Sequence, residues 1–368
     1  MRVAILGRDF PPTVGGIADH TDLMAADLAR RGIDVTVVCS APADQRSAFV
    51  VSPSIERWDA KGFDDIVAAV AATQPDVIVW QYNPFAVGHR GVAPTARVLA
   101  RKLSHVAPIA LFAHELWFPW GREGARGLVW AVAQRLQTRA VLRACTRWII
   151  TTQAREEALK RIDPARVVRI PVGTNVAPTG SRDRARWNIP EDAFVLAHLG
   201  SAGPGRDLEP AFRALSTLRA RTLDVRLFLV GNTGPFPIPA SLEGAVMTTG
   251  TRPLDELSDA LACADAYLHA DPVGPSAGRR TTLVAALAHG LPVIAYRGPD
   301  HDSHLVDGDN ILMIDRDAAS LVTAVESLRT EPARARSLGD AARATYSSVF
   351  SWDVIGAQIE DVLRGCAR

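Results

Sequence analysis

Cysteine and lysine are scarce in this 368-residue chain. Its four cysteines, Cys39, Cys145, Cys263 and Cys366, stand far apart with no CxxC pair. That spacing excludes a zinc knuckle and a disulfide-held scaffold, and it fits a reducing cytoplasm. Lys61, Lys102 and Lys160 are the only lysines among 41 basic residues, against 40 acidic ones. The resulting net charge of +1 sets up no global field for nucleic acid or an anionic membrane, so an anion has to be caught by a local group. No uncharged apolar run reaches the roughly 18 residues of a membrane span. The N-terminal MRVAILGRDF lacks the basic region, long apolar stretch and cleavage site of a secretory signal. Also missing are a Walker loop, GxGxxG, GxSxG and HExxH, which argues against P-loop, nucleophile-elbow and zinc-hydrolase chemistry.

What is present is a folded protein's composition, 48% hydrophobic and 22% charged, at a length that suits two domains. Apolar, β-branched runs at 3–6, 35–39, 77–80, 109–113 and 148–151 read as strands. They show no polar alternation, and helix-length segments such as 21–31 and 94–103 separate them, the pattern of a parallel sheet covered on both faces. Pro94 suits a first helical turn. Residues 172–192, rich in Gly, Pro, Asn, Arg and Thr, lack periodicity and read as a linker. A second series follows, with strands at 194–199, 226–230, 246–248, 266–269 and 292–296 and helices at 208–220, 254–263 and 281–289.

The expected organisation is therefore an N-terminal domain 1–172, a linker 173–190, a C-terminal domain 191–346 and a final segment 347–368. After a polar break at 347–351, that segment carries a helix over 353–364 whose Val354, Ile355, Ile359 and Val362 form one apolar face, suited to packing back on the first domain. The fold class is α/β, two facing Rossmann-like doubly wound domains. Their ligand crevice is expected at the carboxyl ends of the strands, between the halves.

Five segments carry groups with chemistry to offer. After the first strand, Gly15 and Gly16 precede a helix bearing Asp19, His20 and Asp22; a glycine pair there lets a ligand approach free backbone amides. His114 and Glu115 follow the strand 109–113 and lead into Trp117, Phe118 and Trp120. The histidine suits a substrate hydroxyl and the aromatics a ring, although a satisfied histidine with aromatics closing a loop fits the same residues. Arg206 ends the glycine-rich run 200–206, and Arg279 and Arg280 lie among the hydroxyls of Ser276, Thr281 and Thr282 at a helix start. Charge-assisted bonds of about 1.5–3 kcal/mol each let two or three such arginines hold a diphosphate. Lastly, Arg135, Arg139, Arg143 and Arg147 form a stripe along one expected helix, a solvated face in preference to a contact with anionic lipid.

Taken in order, FPPTVGG with LARRGIDVTVV, IVWQYNPF, AHELW, RIPVGTNV, GSAGPGRDL, LVGN, and AALAHGLPVIA with LVDGDNILMI resemble the retaining glycosyltransferases of family 4. The resemblance runs over most of the chain and implies the GT-B architecture and sugar transfer from a nucleotide-diphosphate donor with retention of anomeric configuration. It implies no cofactor beyond that co-substrate and no metal ion. It places His114 and Arg206 at the reaction, to which the position of Arg280 before a helix adds that residue. Beside the donor it places Gly15, Gly16, Ser201, Gly231, Asn232, Thr251, Ser276, Gly278, Arg279, Thr281 and Thr282, and on the acceptor side Asp19, His20, Glu115 and Trp117. Arg206 stands where lysine is common, and Ser201 replaces the usual preceding arginine. The family's two glutamates, with seven residues between them, become Ala277 and Ala285, a loss for which Arg279 and Arg280 would compensate. Expected partners are the nucleotide sugar and a small-molecule, lipid-linked or glycan acceptor, with no nucleic acid. A noncatalytic partner subunit, and a phosphorylase or epimerase on the same architecture, are the competing readings.

Overall fold

The computed structural model describes the chain except residues 122, 179–180, 201–204, 235–236 and 368, with the backbone alone at His89 and Arg279. Two compact units emerge: Met1–Pro171 joined by Trp352–Arg368, and Val172–Ser351.

In the first unit the order is β1 (Arg2–Leu6), α1 (Gly16–Arg30), β2 (Asp34–Ser40), β3 (Val50–Ile55), α2 (Phe63–Ala72), β4 (Val77–Tyr82), α3 (Pro84–Val87), α4 (Ala96–Ser104), β5 (Ile109–Ala113), α5 (Gly124–Leu142), β6 (Arg147–Ile150), α6 (Gln153–Lys160) and β7 (Val167–Arg169). The strands form one parallel sheet, β3-β2-β1-β4-β5-β6-β7. Every residue of β4 and β5 is buried, because helices cover both faces. Val3 and Ile5 pack on one side with Met24, Leu28 and Phe112, while Ala4 and Leu6 pack on the other with Trp80, Leu99 and Leu111, as a two-residue period demands.

The second unit runs β8 (Phe194–Leu199), α7 (Glu209–Ala220), β9 (Val225–Val230), β10 (Val246–Thr248), α8 (Leu254–Ala262), β11 (Ala266–His269), α9 (Thr281–Ala288), β12 (Val293–Tyr296), β13 (Leu312–Ile314), α10 (Ala318–Thr330) and α11 (Pro332–Thr345). Its parallel sheet has the order β10-β9-β8-β11-β12-β13. Chain order reverses between β1 and β4 in the first sheet and between β8 and β11 in the second, and the carboxyl ends at such a reversal are where doubly wound sheets bind ligands.

Helix α12 (Trp352–Cys366) belongs to the first unit. It buries Ile355, Ile359 and Leu363 in the core that holds Leu28 of α1. The two helices approach so closely at Gly356 that a Cβ there would lie 1.6 Å from Asp27 Oδ2. Asp27 accepts from Arg30 and Arg31, and Arg31 also donates to the Asp353 carbonyl at 2.6 Å.

Several local expectations need correction. Helix α1 runs from Gly16 to Arg30, so it includes Gly16 itself and begins ahead of the 21–31 stretch, with Asp19, His20 and Asp22 on it as expected. Pro94 precedes α4 by a turn. In place of a polar break, α11 continues through one π-helical turn, Tyr346–Phe350; the Ser347, Ser348 and Ser351 hydroxyls donate back to carbonyls four residues earlier, so these polar side chains are satisfied locally and need no loop. The four-arginine stripe does not exist: α5 ends at Leu142, Arg143 caps it and Arg147 opens β6. Among the described residues no helix is long and apolar enough to cross a membrane.

Candidate active site

In the first unit a cavity of about 780 Å³ opens at the carboxyl ends of β1, β2 and β4, lined by Arg8, Asp9, Ser40, Trp58, Phe85 and Arg90 among others. Its size is that of a site for a small polar molecule. Gly15 is extended, with φ 170°, and no atom lies within 4 Å of where a Cβ would stand at Gly15 or Gly16. Neither backbone angle nor packing demands glycine here, so the pair leaves the first amides of α1 open to approach.

His114 caps β5, its amide donating to the Tyr82 carbonyl at 3.0 Å. Its Nε2 lies 2.5 Å from Gln81 Oε1, while the Gln81 amide group points at Met24 Sδ, 3.5 Å away. An acceptor-only oxygen puts the ring proton on Nε2 and leaves Nδ1 a lone pair. Desolvation, then the charges of His20 and Arg155, push the His114 pKa well below its ordinary value, so the ring is neutral at physiological pH. His20, expected on the acceptor side, is instead buried, with its ring centroid 4.6 Å from Phe112, 4.9 Å from His114 and 5.4 Å from Trp352. Burial lowers its pKa to about 3. It is therefore a neutral ring packed behind His114, with both nitrogens buried and without a hydrogen-bond partner among the described residues.

The rest of this rim is held by Arg155, Thr138 and Gln134, which no sequence motif marks, and by Arg135. Arg155 of α6 donates to the His114 carbonyl at 2.7 Å and pairs with Glu115. From α5, the Thr138 hydroxyl donates to the Leu116 carbonyl at 2.7 Å, Gln134 accepts from the Phe118 amide at 2.6 Å, and Arg135 donates to the Phe118 carbonyl at 2.8 Å. The Arg135 guanidinium lies 5.1 Å from the Trp117 ring and 3.8 Å from that of Trp120. Arg135 thus clamps the aromatic loop by cation–π stacking, where a solvated stripe was expected. Asp19 is half-buried in the first turn of α1.

In the second unit the carboxyl ends of β8 and β11 are joined by the Asp207 amide, which donates to the Ala270 carbonyl at 2.9 Å. Here Arg206 and Arg280 converge on one buried carboxylate. Asp271 accepts from Arg206 Nη1 at 3.1 Å, Arg280 Nε at 2.7 Å and the Val273 amide at 3.0 Å. Burial alone would raise the Asp271 pKa, but the Val273 N–H and the Arg280 charge outweigh it and hold the carboxyl below its ordinary range. Desolvation, then the Arg280 charge, lower the Arg206 pKa, without reaching a range where a guanidinium loses its proton. The two arginines were expected to hold a diphosphate; here they also share Asp271, which leaves one net positive charge on the three side chains. Arg206 Nε and Thr282 Oγ1 are buried with no hydrogen-bond partner among the described residues, an arrangement proteins seldom leave without a ligand or water.

Around this cluster, Gly200 and Gly231 have φ of +100° and +88°, values that favour glycine. A Cβ on Gly200 would lie 3.3 Å from the Thr282 methyl, and the Gly231 amide donates to Thr249 Oγ1 at 2.8 Å. Ser276 and Gly278 are buried in the turn before α9, and Thr281 opens that helix half-buried. Asn232 and Thr251 are exposed, and the Asn232 side chain accepts from the Gly234 amide at 3.0 Å. Ser201 and the Arg279 side chain lie outside the described residues. Ala277 and Ala285 are fully buried in the core, offering methyl groups where carboxylates were the family expectation. Asp271 was legible in principle: it stands two residues beyond the strand 266–269, where strand-end rules look for function. Among the described residues no group of three or more His, Cys, Asp or Glu could hold a metal ion.

Two doubly wound parallel sheets, each with polar groups gathered at its switch point, define a GT-B glycosyltransferase fold. Residues 14–177 match the family described as Glycosyltransferase Family 4, and residues 193–331 match Glycosyl transferases group 1; the chain belongs to the family 4 type of glycosyltransferases. Among curated relatives it is 29% identical over 198 residues to a GDP-mannose-dependent alpha-(1-6)-phosphatidylinositol monomannoside mannosyltransferase of Mycolicibacterium smegmatis, covering 50% of this chain and 51% of the relative. It is 27% identical over 253 residues to a D-inositol 3-phosphate glycosyltransferase of Kineococcus radiotolerans, covering 61% and 58%. The chain thus spans little more than half the length of these relatives. Solved structures of the same fold include a sucrose-phosphate synthase from Thermosynechococcus elongatus, with TM-score 0.72, 19% identity and coverage of 99% and 98%. A glycosyltransferase from Rickettsia africae gives TM-score 0.75 at 12% identity, covering 100% and 98%.

Proposed function

We propose that the protein transfers a sugar from a nucleotide-diphosphate donor to a polar acceptor with retention of configuration, the second unit holding the donor and the first the acceptor. The convergence of Arg206 and Arg280 at the β8/β11 switch point carries this reading. Diphosphate oxygens would accept from the orphan Arg206 Nε and Thr282 Oγ1, each of which costs about 1–3 kcal/mol while unsatisfied. The excess guanidinium charge and the amino end of α9 favour an anion at the same place. As the sugar–phosphate bond breaks, negative charge grows on the leaving diphosphate, and the two guanidiniums stabilise it, most strongly where water is excluded. The departing phosphate takes the proton of the attacking acceptor hydroxyl on the same face, so the reading requires neither a protein nucleophile nor a metal ion.

Neutral His114, with Nε2–H committed to Gln81, serves as an acceptor to a sugar hydroxyl through Nδ1 and takes no part as an acid. Buried Ala277 and Ala285 give neither ribose nor sugar a hydrogen bond, so the arginine cluster carries a larger share of donor affinity. The 780 Å³ cavity, with three arginines (Arg8, Arg57, Arg90), three carboxylates (Asp9, Glu56, Asp59) and the Trp58 ring in its lining, suits a hydroxyl-rich acceptor.

Thermal shift against UDP, GDP, ADP and dTDP tests the donor site, followed by incubation with the matching nucleotide sugar and NMR of the product's anomeric proton. Stabilisation by at least one diphosphate, lost in Arg280→Ala, and an unchanged anomeric configuration are expected. No response to any of the four, with no release of nucleoside diphosphate, would overturn the proposal. Tight binding without release would favour the noncatalytic partner reading that the two alanines support.

A further inference from the structure

Helix α5 has two unlike faces. Ala131, Gln134, Gln137, Thr138 and Val141 are buried, the glutamines and threonine holding neighbouring loops. On the opposite side Leu128, Val129, Val132 and Leu136 are 55, 65, 42 and 63% exposed. At 3.6 residues per turn these four fall within an arc of roughly 100°. A helix that merely covers a sheet turns polar residues outward, and a contiguous apolar strip in water marks a docking surface.

The charge on this helix identifies what docks. Residues Gly124–Leu142 contain Arg126, Arg135 and Arg139 and no aspartate or glutamate, with Arg143 at the C-cap and Glu123 at the N-cap, a net surplus of positive charge. Arg126, Arg139 and Arg143 are exposed, and Arg139 and Arg143 extend the apolar arc by its last turns. Trp120, 54% exposed just before the helix, offers an amphipathic ring of the kind that settles at a lipid headgroup layer. Within the same unit, Arg90, which lines the 780 Å³ cavity, lies over the Trp130 ring of α5 at 5.3 Å, so a different side of this helix adjoins the cavity rim.

We propose that the outer face of α5 docks the protein on an anionic lipid bilayer. The four aliphatic side chains enter the acyl boundary while the arginines meet headgroup phosphates, as interfacial helices do. A second copy fits worse: an isologous contact of two such faces offers the exposed arginines of each helix at most the single Glu123 at its partner's N-terminus. The proposal rests on this helix alone and stands apart from the sugar-transfer reading.

Flotation of the full chain with vesicles of phosphatidylcholine, with and without phosphatidylglycerol, tests it. Binding is expected to the anionic vesicles, weakened by high salt. Arg139→Ser with Arg143→Ser should lower it about 30-fold, at roughly 1 kcal/mol per arginine near an anionic surface. Leu128→Ser with Val132→Ser and Leu136→Ser should abolish it. All five positions are exposed or at the helix end, so an unchanged melting temperature and nucleoside-diphosphate response would show that both variants fold. Failure of the wild type to float, or undiminished flotation of the serine variants, overturns the proposal. So does a concentration-dependent dimer that the same substitutions dissolve, which would make this face an interface between copies.

Discussion

Replacing Asp271 by Asn removes the one carboxylate that two guanidinium groups share. Its side chain is 4% exposed, those of Arg206 and Arg280 9% and 30%. Removing one partner of a buried ion pair costs about 3–5 kcal/mol. Asn keeps an acceptor oxygen and the partial exposure of Arg280 screens its charge, so about 3 kcal/mol is the working value. For a unit the size of Val172–Ser351, 1 kcal/mol moves Tm by about 2–4 °C, giving a drop of roughly 6–12 °C. Calorimetry with and without a nucleoside diphosphate then separates structure from function. With the carboxylate gone, the anion no longer competes for the guanidiniums, so its stabilising shift should be larger in the variant than in the wild type. Acid closes the gap between the two proteins. The Asp271 pKa is depressed on folding, so the stability it confers is present above about pH 4, the unfolded value, and disappears as pH falls through the folded one. A Tm drop under about 2 °C together with an unchanged diphosphate shift would refute the account of this cluster.

His20 gives a second pH signature, in the first unit. Its folded pKa of about 3 against 6.5 unfolded means that the unfolded chain binds the proton first, so stability falls as pH drops below 6.5. Between pH 7.5 and 5 the His20 share of the loss is about 2 kcal/mol, so in His20→Phe the loss between the two pH values, read from urea midpoints, should shrink by that amount while the His114 share remains; an equal loss in both proteins would show that His20 is not buried neutral. Gly356→Ala drives a methyl group into Asp27, whose carboxylate Arg30 and Arg31 already hold. Overpacking at this α1–α12 crossing should destabilise by about 1–3 kcal/mol in urea titration, and a neutral effect would mean that α12 is free to shift.

Local pattern went far in this chain. Runs such as 109–113 and 266–269 became β5 and β11 at those bounds, because a strand buried on both faces has no polar alternation to confuse it. The edge strands β3, β7 and β13 went unread: β3 carries Pro53, tolerated where one side of a strand lacks a partner, and β7 and β13 are three residues long. The glycine pair, His114, Arg206 and Arg280 stood out by type and by place after a strand or before a helix.

What the chain determined alone was composition-driven: a folded α/β protein with two parallel sheets, since the apolar runs and their helical spacers are local properties of neighbouring residues. Which groups meet was settled only by packing. Asp271 lies 65 residues from Arg206 and 9 from Arg280, Gln81 33 from His114, and the arginine stripe dissolved once α5 stopped at Leu142. Periodicity records which side of an element a residue takes; partner, burial and therefore protonation depend on what other elements bring to that side, which the folded chain alone decides.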